Sequence, residues 1–161
     1  MSDKYYRKSR NVQKSLYKYL DDCFSVDWTN VTTSLVYDDA YKQSISLPVV
    51  VLEMIRKEEL SVELGSNSML ERFAVDINIF GTSVGNTWDL ADYIASKVKL
   101  GFVYYTHSNN PTDKSKLITT NSGTRVGFVR FISNYPINFV GEPHIRDKFR
   151  HKIVVLLEKN F

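Results

Sequence analysis

The sequence predicts one α+β domain over residues 1–161, in which a mostly antiparallel or mixed β-sheet is flanked by an N-terminal helix and a central helix. Three observations lead to this prediction. The chain has 161 residues, which is the size of one domain. Its 43% hydrophobic and 24% charged residues are typical of proteins that fold around a core. Its hydrophobic spacing also alternates along the chain, in the order helix, strands, helix, strands.

The first predicted element is an amphipathic helix from Asp3 to Phe24. Apolar and aromatic side chains recur there every three or four residues, which places them on one stripe of the helix. These side chains are Tyr5, Val12, Leu16, Tyr19 and Leu20. Basic residues cover most of the remaining surface. Asp21 and Asp22 lie near the negative end of the helix dipole, so we expect the helix to fray there.

Strand patterns fill the next part of the chain. The predicted strands are residues 31–37, 49–55, 60–64 and 72–80. The run that follows Pro48 is apolar on both faces at its start, which is typical of a central strand covered on two sides. Residues 56–59 are polar and are expected to separate two strands. In residues 72–80, large apolar side chains alternate with smaller or polar ones, so one face of that strand belongs to the core.

The segment 81–100 returns to helical spacing and predicts the central helix. Its apolar stripe consists of Trp88, Ala91, Ile94, Ala95 and Val98. Asn86 or Thr87 is the expected capping residue, because short polar side chains accept hydrogen bonds from the first free amides of a helix.

Residues 101–123 are rich in polar and turn-forming residues and contain two short strand patterns, 102–105 and 117–119. A connection of this length predicts either a projecting hairpin or an open loop. Two alternating strands follow, residues 126–132 and residues 149–158. We expect the first of them to be broken by the Tyr135-Pro136 pair.

Charge is segregated along the chain although the net charge is only +3. Residues 1–20 carry six basic side chains against one acid, residues 21–76 carry eleven acids against four basic side chains, and residues 124–161 are again basic. One interpretation is that a positive surface of one copy meets a negative surface of the next. The other is that these are solvated faces without a partner.

The sequence contains no recognisable motif for catalysis, a cofactor or a metal. Its three histidines show no HxxxH or HExxH spacing, and the lone Cys23 has no cysteine partner. No apolar run reaches the roughly 18 residues of a membrane helix, and no secretory signal is recognisable. We therefore expect a protein that is not an enzyme, needs no cofactor and does not enter a membrane. An unfamiliar active site remains an alternative.

The stretch from the valine-rich strand through ERFAVDINIFGTSVGNTWDLADYIASKVK resembles the tail-terminator, or tail-completion, proteins of long-tailed bacteriophages of the siphovirus type. In that family, a strand of this alternating type leads through a turn into an amphipathic helix similar to LADYIASKV. The late alternating strand, here residues 146–158, is similar to the one that completes the sheet in the family.

The resemblance implies a structural virion protein at the head-tail junction that is synthesised in the host cytoplasm. It implies a homohexameric ring that caps the head-proximal end of the tail tube, stops tube polymerisation and provides the head-docking surface. The implied partners are further copies of the chain, the tail tube protein, a head-completion or neck protein, and genomic DNA passing through the ring. The alternatives are another neck or head-tail connector component and a nucleic-acid-binding protein.

A ring of identical subunits uses two different surfaces of each copy. We expect the acidic block of residues 53–71 to face a basic block of the neighbour, either the first helix or residues 146–152. The candidate side chains at the subunit or tube interface are Glu58, Glu59, Glu63, Lys114, Lys116, Arg146, Lys148, Arg150 and Lys152.

Overall fold

A computed structural model describes residues 7–61, 69–137 and 144–161 of the chain. Its α-helices are α1 (Lys8–Asp27) and α2 (Val84–Val98). Its strands are β1 (Thr32–Ser34), β2 (Val49–Ser61), β3 (Met69–Phe80), β4 (Phe102–Asn109), β5 (Leu117–Ile137) and β6 (Arg150–Asn160). Two short 3₁₀ helices, Tyr37–Tyr41 and Ile145–Asp147, lie in the connections before β2 and β6.

The six strands form one curled sheet in the order β1-β2-β3-β6-β5-β4. The β1–β2 pair is parallel, and the other four pairings between described strands are antiparallel. The predicted α+β fold with an N-terminal and a central helix is therefore confirmed. The last strand, β6, lies in the middle of the sheet and joins the β1-β2-β3 half to the β5-β4 half.

Both helices pack on one face of this sheet and enclose the main core. The alternation predicted in β3 forms the centre of that face, because Phe73, Val75, Ile77 and Ile79 are all fully buried. The helices cover this face with buried side chains at helical spacing. These side chains are Val12, Leu16, Leu20 and Phe24 of α1 and Leu90, Ala91, Ile94 and Val98 of α2. Burial of this apolar surface is the main stabilising contribution to the fold.

A smaller core lies on the other face of the sheet. Ala40 of the first 3₁₀ helix packs there on Val49, Val51 and Phe80, all of which are buried. Val50 faces the main core. The start of β2 is therefore covered on both sides, as its unbroken apolar run predicts.

Two of the predicted strand boundaries in this half are wrong. The strand predicted over residues 31–37 ends at Ser34, because the Ser34 hydroxyl accepts a hydrogen bond from the Val36 amide (3.0 Å) and the chain turns into a 3₁₀ helix. The strands predicted over residues 49–55 and 60–64 are one strand, β2, to its end at Ser61. The charged residues 56–59 pair with β3 beyond a bulge, since ladder hydrogen bonds come from the backbone whatever the side chain. Residues 62–64 lie outside the described ranges.

The helix ends also differ from the prediction. Residues 3–6 of the predicted first helix lie outside the described part, and α1 continues to Asp27 instead of fraying at Asp22. The cap of α2 is Ser83, whose hydroxyl accepts a hydrogen bond from the Asn86 amide at 3.1 Å. Thr87 instead donates its hydroxyl to the Ser83 carbonyl at 2.7 Å.

Residues 101–123 belong to a hairpin rather than an open loop. Its strands β4 and β5 are longer than predicted and pair from Phe102↔Val126 to Asn109↔Leu117. β5 also continues through Tyr135-Pro136 to Ile137, where a break was predicted. Pro136 is tolerated because this part of β5 pairs only with β6 among the described strands, so the missing amide can fall on the unpaired side.

Candidate assembly interface

Among the described strands, β2 and β5 each have a long stretch of free edge. β1 pairs only with residues 49–51 of β2, so residues 53–61 of β2 have no strand on their outer side in the described chain. At the opposite end, β4 covers β5 only as far as Val126. Residues 127–137 of β5 therefore also form an outer edge. Free edges present unpaired backbone groups that favour pairing with another chain.

The outer edge of β4, in contrast, is closed by α1. The Ser15 hydroxyl accepts a hydrogen bond from the Tyr105 amide (2.9 Å) and donates one to the Tyr105 carbonyl (3.3 Å). The side-chain oxygen of Asn11 accepts a hydrogen bond from the His107 amide at 3.2 Å, and Arg7 donates to the His107 carbonyl at 3.5 Å. Polar residues of the first helix thus satisfy backbone groups that would otherwise be open to a partner.

The two free edges are suited to a contact between copies. They lie on opposite sides of the four-stranded unit β2-β3-β6-β5, whose neighbouring strands all run antiparallel. β2 and β5 therefore run in opposite directions. A rotation about an axis parallel to the strands preserves strand direction, so it would place β5 of one copy beside β2 of the next as an antiparallel neighbour.

The charges of these edges are complementary. Residues 53–61 of β2 contain three glutamates against Arg56 and Lys57, whereas residues 127–137 of β5 contain Arg130 and no acid. Complementary charges set the register and the encounter rate of a contact. These two edges, residues 53–61 of β2 and residues 127–137 of β5, are together the candidate functional site, and we call them the edge pair.

Some of the predicted interface residues are held within the chain itself. Arg146 donates hydrogen bonds to the carbonyls of Ala40 (3.1 Å) and Ile45 (2.7 Å). Arg150 has a side chain only 9% exposed and pairs with Asp147 at 3.4 Å. Both arginines thus fasten the segment before β6 to the rest of the fold, and reversing their charge would disturb the monomer as well as any contact.

Acidic and basic blocks also meet inside one molecule. Lys8 of the basic N-terminal block lies 2.7 Å from Glu71, whose side chain is 1% exposed, and Lys57 lies 3.5 Å from the same carboxylate. Lys152 lies 2.9 Å from Asp76, and its hydrogen bond to that carboxylate raises the pKa of Lys152. Much of the charge that is segregated in the sequence is therefore compensated in the fold.

The other predicted interface residues remain on the surface. Glu58 and Glu59 lie on the free edge of β2, where they pair with Arg56 (3.1 Å) and Lys57 (2.7 Å). Lys114, Lys116 and Lys148 are exposed, the first two at the tip of the β4–β5 hairpin. Glu63 lies outside the described residues.

A cavity of about 200 Å³ opens beside the end of β5 and was not predicted from the sequence. It is lined by the first turn of α2, by Pro136 and Ile137, and by residues 148–151. Val84 and Trp88 of α2 are 62% and 43% exposed there. The sequence places Trp88 on the apolar stripe of the helix. Helical periodicity alone, however, cannot show that this side chain remains partly exposed at the cavity.

His151 is one of the polar residues that line this cavity, together with Thr87, Lys148 and Arg150. Its ring is fully buried, its Nε2 contacts the side-chain oxygen of Asn134, and its Nδ1 has no hydrogen-bond partner among the described residues. Burial lowers the pKa of His151, and the negative charge of Asp92 acts in the opposite direction. The charged form of the imidazole is therefore disfavoured.

Within the three described ranges, no group of three or more His, Cys, Asp or Glu side chains is placed to hold a metal ion. No described helix is long and apolar enough to cross a membrane. Comparison of the sequence with protein-family models and with curated proteins finds no match.

Proposed function

We propose that the protein is a structural virion component that forms a ring, hexameric as in tail-terminator proteins, on the head-proximal end of a phage tail tube. The ring stops tube polymerisation and provides the surface to which the filled head docks. The observation that supports this proposal most directly is the edge pair, in which two free edges have opposite direction and complementary charge. The sequence resemblance to the tail-terminator family supplies the tube and the head as partners.

A closed ring is favoured because the two edges differ. A contact between β2 of one copy and β5 of the next is heterologous, and repetition of such a contact closes only when its rotation divides a full turn. In an open chain of copies, one free edge would remain at each end. Closure pairs both of these edges in every copy, which removes a source of uncontrolled association.

The β4–β5 hairpin is the candidate contact with the tube or the neck. Its tip is an ordered turn, which is closed by a hydrogen bond from the Asn110 amide to the Lys116 carbonyl (3.1 Å). Lys114 and Lys116 are exposed at this tip. They add positive charge that is suited to an acidic partner surface.

Electron microscopy of particles assembled without the protein tests the proposal. We expect tails of uncontrolled length, because nothing ends tube growth, and normal tails when the intact chain is restored. Tails of normal length that are not attached to heads would contradict the terminator role and favour a head-tail connector.

One observation favours a nucleic-acid-binding role as the second candidate. Arg7, the residue before α1, and Arg10 and Lys14 of α1 follow one another at helical spacing, and the pKa of Lys14 is lowered by burial and by both arginine charges. Phosphate neutralisation at such a stripe would make duplex binding fall steeply with salt. A mobility-shift assay at low salt that detects no complex would exclude this role.

A further inference from the structure

Another cavity, of about 210 Å³, lies between the start of α1, the β4–β5 hairpin and the end of β6. Lys8 and Lys159 are the charged residues that line it, and none of the described residues of its lining is acidic. The aromatic residues Tyr104 and Phe161 and three serine and threonine residues complete the described lining. The opening therefore combines positive charge with aromatic walls, and we call it the lysine cavity.

Lys159 is only 6% exposed, yet no carboxylate of the described chain lies within ion-pair distance of it. Its ammonium group donates one hydrogen bond, to the Asn160 carbonyl at 3.2 Å. The same nitrogen lies 4.9 Å from the ring centre of Tyr104 and 4.6 Å from that of Phe161, and both residues line the cavity. Because an ammonium group has three donors, Lys159 keeps donors for a ligand at the wall of the cavity.

The charges beside Lys159 balance one another without it. Lys8 lies 2.7 Å from Glu71. Lys57 lies 2.7 Å from Glu59 and 3.5 Å from Glu71. Two lysines thus offset two glutamates, and Lys159 adds a positive charge that these carboxylates do not compensate. Burial lowers the pKa of Lys159, Glu71 opposes this shift and Lys8 adds to it. An anion bound beside Lys159 would stabilise its charged form.

The lysines are the groups of this cavity that can hold an anion. The Ser122 hydroxyl already donates to the Tyr104 carbonyl at 2.6 Å, and it lies 2.7 Å from the Thr124 hydroxyl, with which it shares a hydrogen bond. The start of α1 at Lys8 adds the positive end of a helix dipole near the opening. Recognition would therefore depend on the two ammonium groups, with the hydroxyl groups forming the wall.

The chemistry of the lining favours a phosphate group over a carboxylate. Lysine binds phosphate as a point charge, whereas carboxylates are typically recognised by the planar, bidentate contact of arginine, and no arginine is among the described residues of the lining. A cavity of roughly 150 Å³ in another protein accommodates a benzene molecule, which is larger than a phosphate ion. The lysine cavity therefore has room for a phosphate group.

We propose that the lysine cavity is a binding site for a phosphate group, which the ammonium groups of Lys8 and Lys159 hold. The phosphate belongs either to a small compound or to a nucleic-acid backbone, since both present the same tetrahedral oxyanion. None of the described residues of the lining belongs to the edge pair. The site is thus separate from the proposed ring contact, and neither proposal depends on the other.

Substitution of Lys159 tests the site. We expect Lys159→Met to weaken the binding of inorganic phosphate by about tenfold or more, because a charged hydrogen bond is lost while a side chain of similar length remains. Lys116→Met is the matched control, since the Lys116 side chain is 75% exposed at the hairpin tip and should leave binding unchanged. Isothermal titration calorimetry at constant ionic strength measures the affinity, and circular dichroism melts establish that both variants fold.

A second variant tests the site without changing a buried residue. Thr124 lines the cavity and is exposed, so Thr124→Glu should fold normally. We expect it to weaken phosphate binding as well, because its carboxylate would repel the anion and compensate the lysine charge. Absence of saturable phosphate binding to the intact chain would overturn the proposal. Equal affinities of the Lys159→Met, Thr124→Glu and Lys116→Met variants would do the same.

Three ligands identify the source of the phosphate. Inorganic phosphate, a short single-stranded oligonucleotide and acetate are titrated into the intact chain and into Lys159→Met. Oligonucleotide binding that is lost in Lys159→Met would assign the site to a nucleic-acid backbone. Binding of inorganic phosphate alone would assign it to a small phosphorylated compound. Acetate that binds as tightly as phosphate would overturn the proposed phosphate site, and the mass of the ring would be unaffected by any of these results.

Discussion

His151 is fully buried at the start of β6, where the Trp88 ring meets it edge-on with 4.9 Å between ring centres. Its Nδ1 has no hydrogen-bond partner within the described ranges, so protonation of this buried ring is expected to make the stability of the fold depend on pH. His107 is also buried, and burial, together with the charges of Lys14 and Arg10, lowers its pKa in the same direction. Both imidazoles are therefore disfavoured in their charged form.

The sign of the pH effect follows from these lowered pKa values. In the unfolded chain, each histidine titrates near its ordinary value of about 6.5. Their contribution to stability is present above that pH and is lost as the pH falls through the folded-state values. The free energy of unfolding should therefore decrease on acidification from pH 7 to pH 5.

Replacement of His151 should reduce this acid sensitivity. We expect His151→Gln to flatten the dependence of the melting temperature on pH between pH 7 and pH 5, because one buried titrating group is removed. His144→Gln, at an exposed position, is the control and should keep the wild-type slope. An unchanged slope in His151→Gln would show that this histidine does not titrate differently in the folded and unfolded states.

At the scale of elements, the sequence predicts best those segments whose periodicity is set by one buried face. The alternation in β3 and the helical stripe of α2 are examples, since Ile77 and Ile94 lie in the same core that their spacing predicts. The extent of β2 and β5 was not predictable in the same way. Residues 56–59 and Pro136 are in strands because they pair with residues 71–74 and His151, which lie outside the short window that local spacing describes.

The candidate site was predictable only in part for the same reason. The ion pairs Lys8–Glu71 and Lys152–Asp76 join residues that are more than 60 positions apart in the sequence. The charge blocks are visible in the sequence, but their pairing within one molecule depends on which strands become neighbours. The free edges and the cavity are also properties of strand order.

The junction between α2 and β4 depends on one glycine. Gly101 has a φ of +68°, and a Cβ added there would lie 2.7 Å from the carbonyl oxygen of Val126. A side chain at this position would be strained in its backbone and would push on β5. The position of the β4–β5 hairpin against α2 therefore depends on the absence of a side chain at residue 101.

Two alanine substitutions test this junction. We expect Gly101→Ala to lower the free energy of unfolding by about 1–3 kcal/mol, through strain and displacement of the backbone. Gly85→Ala is the control, because nothing lies within 4 Å of the added Cβ and the residue is in α2. It should raise stability by up to about 1 kcal/mol, as alanine favours a helix. Urea denaturation measures both, and equal effects of the two substitutions would contradict the account.

At the scale of the whole molecule, the fold covers the backbone hydrogen-bonding groups at some sheet edges and leaves those at other edges unpaired. α1 uses polar side chains to cover β4, whereas residues 53–61 of β2 and residues 127–137 of β5 have no strand on their outer side in the described chain. Natural sheets usually protect free edges. An even number of alternating strands between two open edges is the arrangement by which identical copies can extend one antiparallel sheet.

The mass of the assembled protein tests this central claim most directly. Native mass spectrometry of the intact chain at increasing concentration should show one closed species at six times the subunit mass of 18.6 kDa. It should not show a series of growing open oligomers. A monomer at all concentrations, or a dimer that grows no further, would contradict head-to-tail assembly through the two edges.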